Sequence, residues 1–191
     1  MLRQIPNLIT SLRILLIAPI AVALLRHELL IALALFFLAA VSDLLDGFIA
    51  KRFGWRSALG GVLDPAADKL LLATSFVVLA IMHLVPLWLM ATAVARDLLI
   101  VGGAIVYRLW LGPVEARPSK LSKLNTLCQA LFILCVIARR QFSQPQAWAI
   151  VTLGALTFLT TVVSGIDYVL RYGKTALGES RSRRGRQHEL T

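Results

Sequence analysis

Long apolar stretches separated by short polar interruptions run through most of this chain, and the stretches are longer than a small soluble core requires. A membrane-spanning helix takes about 20 mainly apolar residues. Six segments meet that pattern, near Asn7–Leu25, Leu29–Ala50, Gly61–His83, Pro86–Leu109, Leu124–Ala138 and Ala147–Leu170. The fifth is short, and its pattern allows an extension back through Lys123. The prediction is therefore an all-α integral membrane protein with six transmembrane helices in a single bundle. Residues 1–174 form the membrane domain, and residues 175–191, with the string "GESRSRRGRQHELT", read as a basic, disordered tail. Composition agrees. Of 191 residues 58% are hydrophobic and the mean hydropathy is +0.78, against about 45–50% apolar in a soluble domain.

Charge adds direction to this picture. The net charge of +10 first suggests a nucleic-acid partner, but its placement follows topology. With the N-terminus cytoplasmic, sixteen Lys and Arg residues fall in inner segments, and only Arg26, Arg139 and Arg140 fall in outer loops. That is the positive-inside bias, and an even number of spans returns both termini to the cytoplasm. No nucleic-acid partner is expected. The basic tail, Arg181–Arg186, reads as solvated charge or a contact with anionic lipid. The opening resembles a signal peptide in its Arg3, apolar run and "APIAVA" string. Cleavage would remove a span that carries polar residues a signal peptide does not need, so retention is expected. Cys128 and Cys135 lie seven residues apart in one predicted helix, about 10 Å along its axis, too far for a disulfide.

Against this background one window stands apart. "SDLLDGFIAKRFGWRSALGGVLDPAADK" holds four of the ten acidic residues, at Asp43, Asp46, Asp64 and Asp68. Asp43 and Asp46 are spaced i, i+3, and Asp64 and Asp68 i, i+4, so each pair shares one helix face. The two pairs sit at the inner ends of helices two and three, joined by a short turn that contains Gly54 and Gly60. An antiparallel hairpin with those faces opposed would gather four carboxylates near the cytoplasmic boundary. Uncompensated, they would repel one another and take up protons. A hard divalent cation, Mg²⁺ or Mn²⁺, offsets the charge with oxygen ligands, and four carboxylates suit two ions. The three histidines are scattered, so no zinc-type set is present. Gly47 and Gly60 allow either close approach of a ligand or close helix packing.

The stretch reads Asp43-x2-Asp46-Gly47-x2-Ala50-Lys51-x8-Gly60-x3-Asp64-x3-Asp68. It resembles the signature of the CDP-alcohol phosphotransferases (class I CDP-alcohol phosphatidyltransferases), D-x2-D-G-x2-A-R-x8-G-x3-D-x3-D. Seven of the eight fixed positions agree, and Lys51 stands where the family has arginine. Lysine keeps the charge but loses the planar, bidentate fork. The likeness extends to about Lys174, through "IPNLITSLRI", "ARDLLIVGGAIVYR" and "LSKLNTLCQ". Within the family, "RSALGGVLDPAADK", "ARDLLIVGGAIVYR" and "SKLNT" are most similar to the CMP-forming cardiolipin synthases, with phosphatidylglycerophosphate synthases as close relatives.

The resemblance implies a six-helix membrane fold, a homodimer, and a polar cavity open to the cytoplasm, in this case from a bacterial inner membrane. It implies transfer of the phosphatidyl group of CDP-diacylglycerol to an acceptor hydroxyl with release of CMP. Phosphatidylglycerol is the acceptor favoured, for cardiolipin synthesis, and glycerol 3-phosphate is the rival. By the same resemblance Asp43, Asp46, Asp64 and Asp68 hold the metal, and Asp68 accepts the acceptor's proton or completes the second metal site. CDP contacts fall to Asn7, Thr10, Asp43, Gly47, Ala50, Lys51 and Gly60. Acceptor or phosphate contacts fall to Arg13, Arg96, Lys120, Lys123, Thr126 and Gln129. Plainer readings stand beside these. Arg13, Asn7 and Thr10 lie at three-residue steps that also suit capping and snorkelling. Thr126 and Gln129 follow Lys123 at three-residue steps that are expected to share a helix face, and Lys120 and Lys123 also suit positive-inside anchoring. Arg96 and Asp97 lie mid-helix and point about 100° apart, so a mutual ion pair does not follow from adjacency. Asp167 and Tyr168 near the end of helix six stay ambiguous, Tyr168 as an interfacial anchor. A small ion transporter with a carboxylate relay and an inert scaffold are the other classes weighed. Carboxylates at helix ends instead of the bilayer midplane argue against the first, and four intact acidic positions argue against the second.

Overall fold

The computed structural model describes the backbone of residues 5–53, 60–110 and 120–188, and the side chains of residues 11–42, 66–103 and 121–170. Six helices account for it: α1 Ile5–Leu25, α2 Leu29–Phe53, α3 Gly60–Ile81, α4 Leu87–Trp110, α5 Lys120–Phe142 and α6 Ala147–His188. No strand occurs among the described residues. The helices follow the predicted segments in number and order. α5 is longer at both ends than its apolar run, because polar residues such as Lys120, Ser122, Arg139 and Arg140 are good enough helix formers to continue a helix already nucleated by its apolar middle. α6 likewise carries helical backbone into the basic segment where composition suggests disorder, since each added residue costs little once the helix exists.

Three tight connections, at residues 26–28, 82–86 and 143–146, make antiparallel pairs of α1 with α2, α3 with α4 and α5 with α6. Two of them end their helices in the same way. The His27 N–H donates to Leu24 O at 2.9 Å and the Glu28 N–H to Ala23 O at 2.9 Å. The His83 N–H donates to Ala80 O at 3.0 Å and the Leu84 N–H to Leu79 O at 2.9 Å. This is the Schellman cap, which satisfies helix-end carbonyls by placing one residue in the left-handed region. His27 and His83 occupy that position, at φ 59° and 56°. These histidines terminate helices.

α1 packs against both α2 and α3, α5 packs against α2 and α6, and α4 packs against α3 and α6. Among the described residues α2 and α3 meet mainly through α1; the side chains at the inner ends that would face each other as a hairpin lie outside the described residues. The core is built from Ile20 and Leu24 of α1, Ala32, Phe36 and Ala39 of α2, Leu72, Phe76 and Leu79 of α3, Leu89 of α4, and Ile133 and Ile137 of α5. Phe76 and Phe132 stack across α3 and α5 with ring centroids 6.0 Å apart.

The outward faces are apolar too: Leu15, Leu30, Phe37, Leu98, Val151 and Leu159 are all exposed. Leu121–Phe142 and Ala147–Leu170 are long and apolar enough to cross a membrane, and Ser11–Leu25 and Leu29–Ser42 are shorter apolar helices. An apolar outer surface of this extent suits lipid and is rare on soluble monomers.

Two stability outcomes follow from the backbone. An L residue in the left-handed region costs about 1–2 kcal/mol, part of which is returned by the extra freedom glycine has when unfolded. His83→Gly is expected to raise the melting temperature in detergent by a few degrees, the response to about 1 kcal/mol in a chain of this size. On α4, adjacent glycines should respond oppositely to alanine. A Cβ on Gly103 would lie 2.8 Å from the Tyr168 hydroxyl oxygen, whereas a Cβ on Gly102 meets nothing within 4 Å. Gly103→Ala should lower the melting temperature, as overpacking costs about 1–3 kcal/mol. Gly102→Ala should hold or raise it, alanine being favoured by up to about 1 kcal/mol in a helix interior.

Candidate functional site

α2 stays helical through Asp43, Asp46, Gly47, Ala50 and Lys51, and α3 is helical from Gly60 through Asp64 and Asp68. Unbroken helix on both sides means that each aspartate pair sits one turn apart on a single face, as the spacing predicts. The side chains of Asn7, Thr10, Asp43, Asp46, Gly47, Ala50, Lys51, Gly60, Asp64 and Lys120 lie outside the described residues. Asp68 lies within them, half-buried. Among the described residues no three His, Cys, Asp or Glu side chains cluster, and of the four aspartates only Asp68 is among them. As a donor set, two carboxylates on consecutive turns of each of two helices fit a hard divalent cation, which takes oxygen ligands and keeps open positions for phosphate. Cys128 and Cys135 are free.

Beside Asp68 the structure assembles a polar network that crosses four helices. Arg96, on α4, is 5% exposed. Its Nη1 donates to Asp97 Oδ1 at 2.7 Å, so the two adjacent residues do form an ion pair despite their different azimuths. Its Nε donates to Ser164 Oγ on α6 at 3.1 Å, and its Nη2 donates to Ser122 Oγ on α5 at 2.8 Å. Nη2 also donates to Ser164 Oγ. Arg96 thus directs its donors at protein groups. The same Asp97 Oδ1 accepts a hydrogen bond from Lys69 Nζ on α3 at 3.0 Å.

A second polar layer lies deeper between α5 and α6. Asn125 Oδ1 accepts hydrogen bonds from Thr160 Oγ1 at 3.0 Å and Thr161 Oγ1 at 2.8 Å. Gln129 is 1% exposed, and neither its Nε2 nor its Oε1 has a hydrogen-bond partner; the Asn125 Nδ2 and Ser75 Oγ are in the same condition. Buried polar atoms of this kind usually mark a place for water or a ligand. Arg13 of α1 is buried as well.

Lys123, Thr126 and Gln129 do not form one face. Lys123 is exposed, Thr126 half-buried and bonded to Ser122 O at 3.2 Å, and Gln129 buried. Each three-residue step falls about 60° short of a full turn, so the series winds from the outer surface into the core. Tyr168 resolves differently from an interfacial anchor: its hydroxyl donates to Ile100 O at 3.0 Å, tying α6 to α4. Asp167 is half-buried beside it.

The residues that sequence reasoning passed over are Lys69, Ser122, Asn125, Thr161 and Ser164. Their signal was present as two polar stripes on otherwise apolar helices: Ser122, Asn125 and Gln129 at i, i+3, i+7, and Thr157, Thr161 and Ser164 at i, i+4, i+7. Stripes of small polar residues are how membrane helices bond to one another.

Comparison with known proteins places the arrangement. Residues 3–164 match the CDP-alcohol phosphatidyltransferase family. The chain is 31% identical over 186 residues to human cardiolipin synthase (CMP-forming), covering 89% of this chain and 62% of that protein. It thus spans about three fifths of the length of that relative. It is 30% identical over 175 residues to a probable phosphatidylglycerophosphate synthase of Mycobacterium tuberculosis, covering 88% of this chain and 81% of that protein. A chloroplastic CDP-diacylglycerol–glycerol-3-phosphate 3-phosphatidyltransferase of rice is 31% identical over 153 residues, covering 71% of this chain and 46% of that protein. With the family match running through five helices and into the sixth, across both aspartate pairs, this chain belongs to the CDP-alcohol phosphatidyltransferase family.

Proposed function

We propose that this transferase moves the phosphatidyl group of CDP-diacylglycerol onto a hydroxyl of phosphatidylglycerol, forming cardiolipin and releasing CMP. The observation that carries the reading is the acidic pattern of Asp43, Asp46, Asp64 and Asp68 on unbroken stretches of α2 and α3, in a chain of this family. The protein sits in the membrane with six spans, both termini and the site on the cytoplasmic side, and works as a homodimer. The positive-inside bias supports the orientation, and the apolar outer faces support the embedding.

The four aspartates hold Mg²⁺ or Mn²⁺, two ions per site, which supply charge neutralisation to the pyrophosphate of the donor. Asn7, Thr10, Gly47, Ala50, Lys51 and Gly60 line the cytidine diphosphate, the glycines letting it approach the backbone. Asp68 takes the proton of the acceptor hydroxyl. As that proton leaves, the new oxygen–phosphorus bond forms and the bond from phosphorus to the CMP oxygen breaks. A positioned base of this kind contributes about 10²–10⁴-fold, and most of the remainder comes from holding two charged reactants together. Arg13, Thr126 and Gln129 receive the acceptor's phosphate and hydroxyls within the bundle, and Lys120 and Lys123, at the start of α5, attract its phosphate by charge from the cytoplasmic edge. The unpartnered amide of Gln129 supports that role. Arg96, with its donors spent on Asp97, Ser122 and Ser164, serves the acceptor side by fixing the helices that carry it.

A second reading, glycerol 3-phosphate as acceptor, is favoured by one observation. The match to the mycobacterial phosphatidylglycerophosphate synthase covers 81% of that protein, against 62% of the human cardiolipin synthase.

The test is CMP release and lipid product from purified protein in detergent with CDP-diacylglycerol, Mg²⁺ or Mn²⁺, and each acceptor separately. Release with phosphatidylglycerol, abolished by chelation and reduced about 10²–10⁴-fold in Asp68→Ala, is the expected result. Release with glycerol 3-phosphate alone would transfer the enzyme to the second reading. Absence of release with every acceptor, in folded protein, would overturn both.

A further inference from the structure

The contact between Asn125 of α5 and the threonines of α6 does not close when its protons are counted. With Oδ1 toward α6, Asn125 stands 3.0 Å from Thr160 Oγ1 and 2.8 Å from Thr161 Oγ1. Each of those hydroxyls also lies against a carbonyl of its own helix, Thr160 Oγ1 2.8 Å from Leu156 O and Thr161 Oγ1 2.7 Å from Thr157 O. A hydroxyl has one proton to donate and two lone pairs to accept with. Facing an amide oxygen as well as a carbonyl, each threonine has two acceptors and one proton, so one short contact on each joins two oxygens with no proton between them. With the amide nitrogen in that place the count closes. Each threonine donates to its helix carbonyl, and the NH2 group gives one proton to each threonine. A half-turn of the amide exchanges oxygen and nitrogen without changing its shape, and the surrounding network decides between the two. The Thr157 hydroxyl, which donates to Cys128 O at 3.3 Å, holds α6 to α5 at the same level.

The half-turn puts the amide oxygen where the structure has an atom without a partner. Asn125 is 0% exposed, so solvent does not reach that oxygen. Gln129 lies one helical turn along the same face of α5, with both amide atoms buried and unpartnered. Two carbonyl oxygens and one NH2 group are thereby left unmet inside an apolar bundle, a costly condition unless something fills it. A neutral hydroxyl completes such a set, because it donates to an oxygen and accepts from the NH2 group at once. A phosphate oxyanion only accepts, and would be set against the amide oxygens.

We infer that Asn125 is a specificity-determining residue: held by Thr160 and Thr161 through its NH2 group, it presents its oxygen, beside Gln129, to the non-reacting secondary hydroxyl of the acceptor's glycerol group. The inference rests on the proposed transfer to a glycerol-bearing acceptor, and phosphatidylglycerol and glycerol 3-phosphate both carry that hydroxyl. An ordered water has the same O–H chemistry, and the experiment separates the two sources.

The chain has two asparagines, Asn7 and Asn125, so protein in detergent labelled with side-chain ¹⁵N-asparagine shows two NH2 groups, and Asn125→Leu identifies one of them. The Asn125 protons should have their strongest nuclear Overhauser contacts with the side chains of Thr160 and Thr161. Strongest contacts with the Gln129 side chain overturn the orientation and the inference with it. Kinetics then compare each acceptor with its analogue lacking only the secondary hydroxyl, a phosphatidyl-propanediol or a hydroxypropyl phosphate. In wild type kcat/KM should fall at least about tenfold for the analogue, since a buried amide is left unpaired. In Asn125→Leu and in Gln129→Leu the natural acceptor should fall to within about threefold of its analogue, the groups that read the hydroxyl being gone. A merely structural role lowers both acceptors alike and keeps their ratio. Equal use of acceptor and analogue by wild type leaves water as the occupant and overturns the inference, as does a ratio retained in both variants. Should Asn125→Leu fail to fold, Gln129→Leu makes the same comparison. No transfer to any acceptor overturns the proposed function itself, while the magnetic resonance contacts still decide how the amide is turned.

Discussion

A charged pair inside an apolar bundle is the constraint on which the other arrangements depend. Arg96 and Asp97 sit on α4 among helices whose inner and outer faces are both largely apolar. Removing one partner of such a pair costs about 3–5 kcal/mol, because the other is left buried and uncompensated. The pair alone does not use all of its hydrogen-bonding capacity. Arginine has five N–H donors in a fixed fork, and the groups that meet them come from α5 and α6, while the carboxylate takes Lys69 from α3. Four helices thereby acquire a fixed register at one level. The half-buried Asp68 stands next to Lys69 on α3.

Packing away from that level follows a different rule. In lipid the apolar outer faces gain little by helix association, so close approach and interhelix hydrogen bonds carry it. Ala32 and Ala39 of α2 are completely buried in the core. Gly103 leaves room for the ring of Tyr168, whose hydroxyl reaches the α4 backbone. Asn125 is bonded to two threonines of α6. The three tight turns lie at the ends of the antiparallel pairs and are closed by backbone caps, which leaves the charged chemistry to the other side chains.

Phosphoryl transfer from a CDP-linked lipid asks little covalent chemistry of a protein and much positioning. A bundle in which polar bonds tie α3, the carrier of one acidic pair, to α4, α5 and α6 suits that demand. The acceptor is a finer matter, since cardiolipin synthase and phosphatidylglycerophosphate synthase resemble the chain at nearly equal identity.

The sequence by itself determined the six helices, their order, the two aspartate pairs and the family, because each depends on local spacing or on a contiguous motif. Helix period and apolar run length are one-dimensional properties, and the signature of Asp43 to Asp68 is read without knowing what lies opposite. Tertiary structure decided what no spacing records. Arg96 and Asp97 became an ion pair only because partners on α3, α5 and α6 orient them. Lys123 and Gln129 parted because one face of α5 looks outward and another looks into the bundle, and Lys69 acquired a partner 28 residues away. Such contacts depend on which helices become neighbours. Among the described residues α1 packs against both α2 and α3, a choice made by packing in three dimensions.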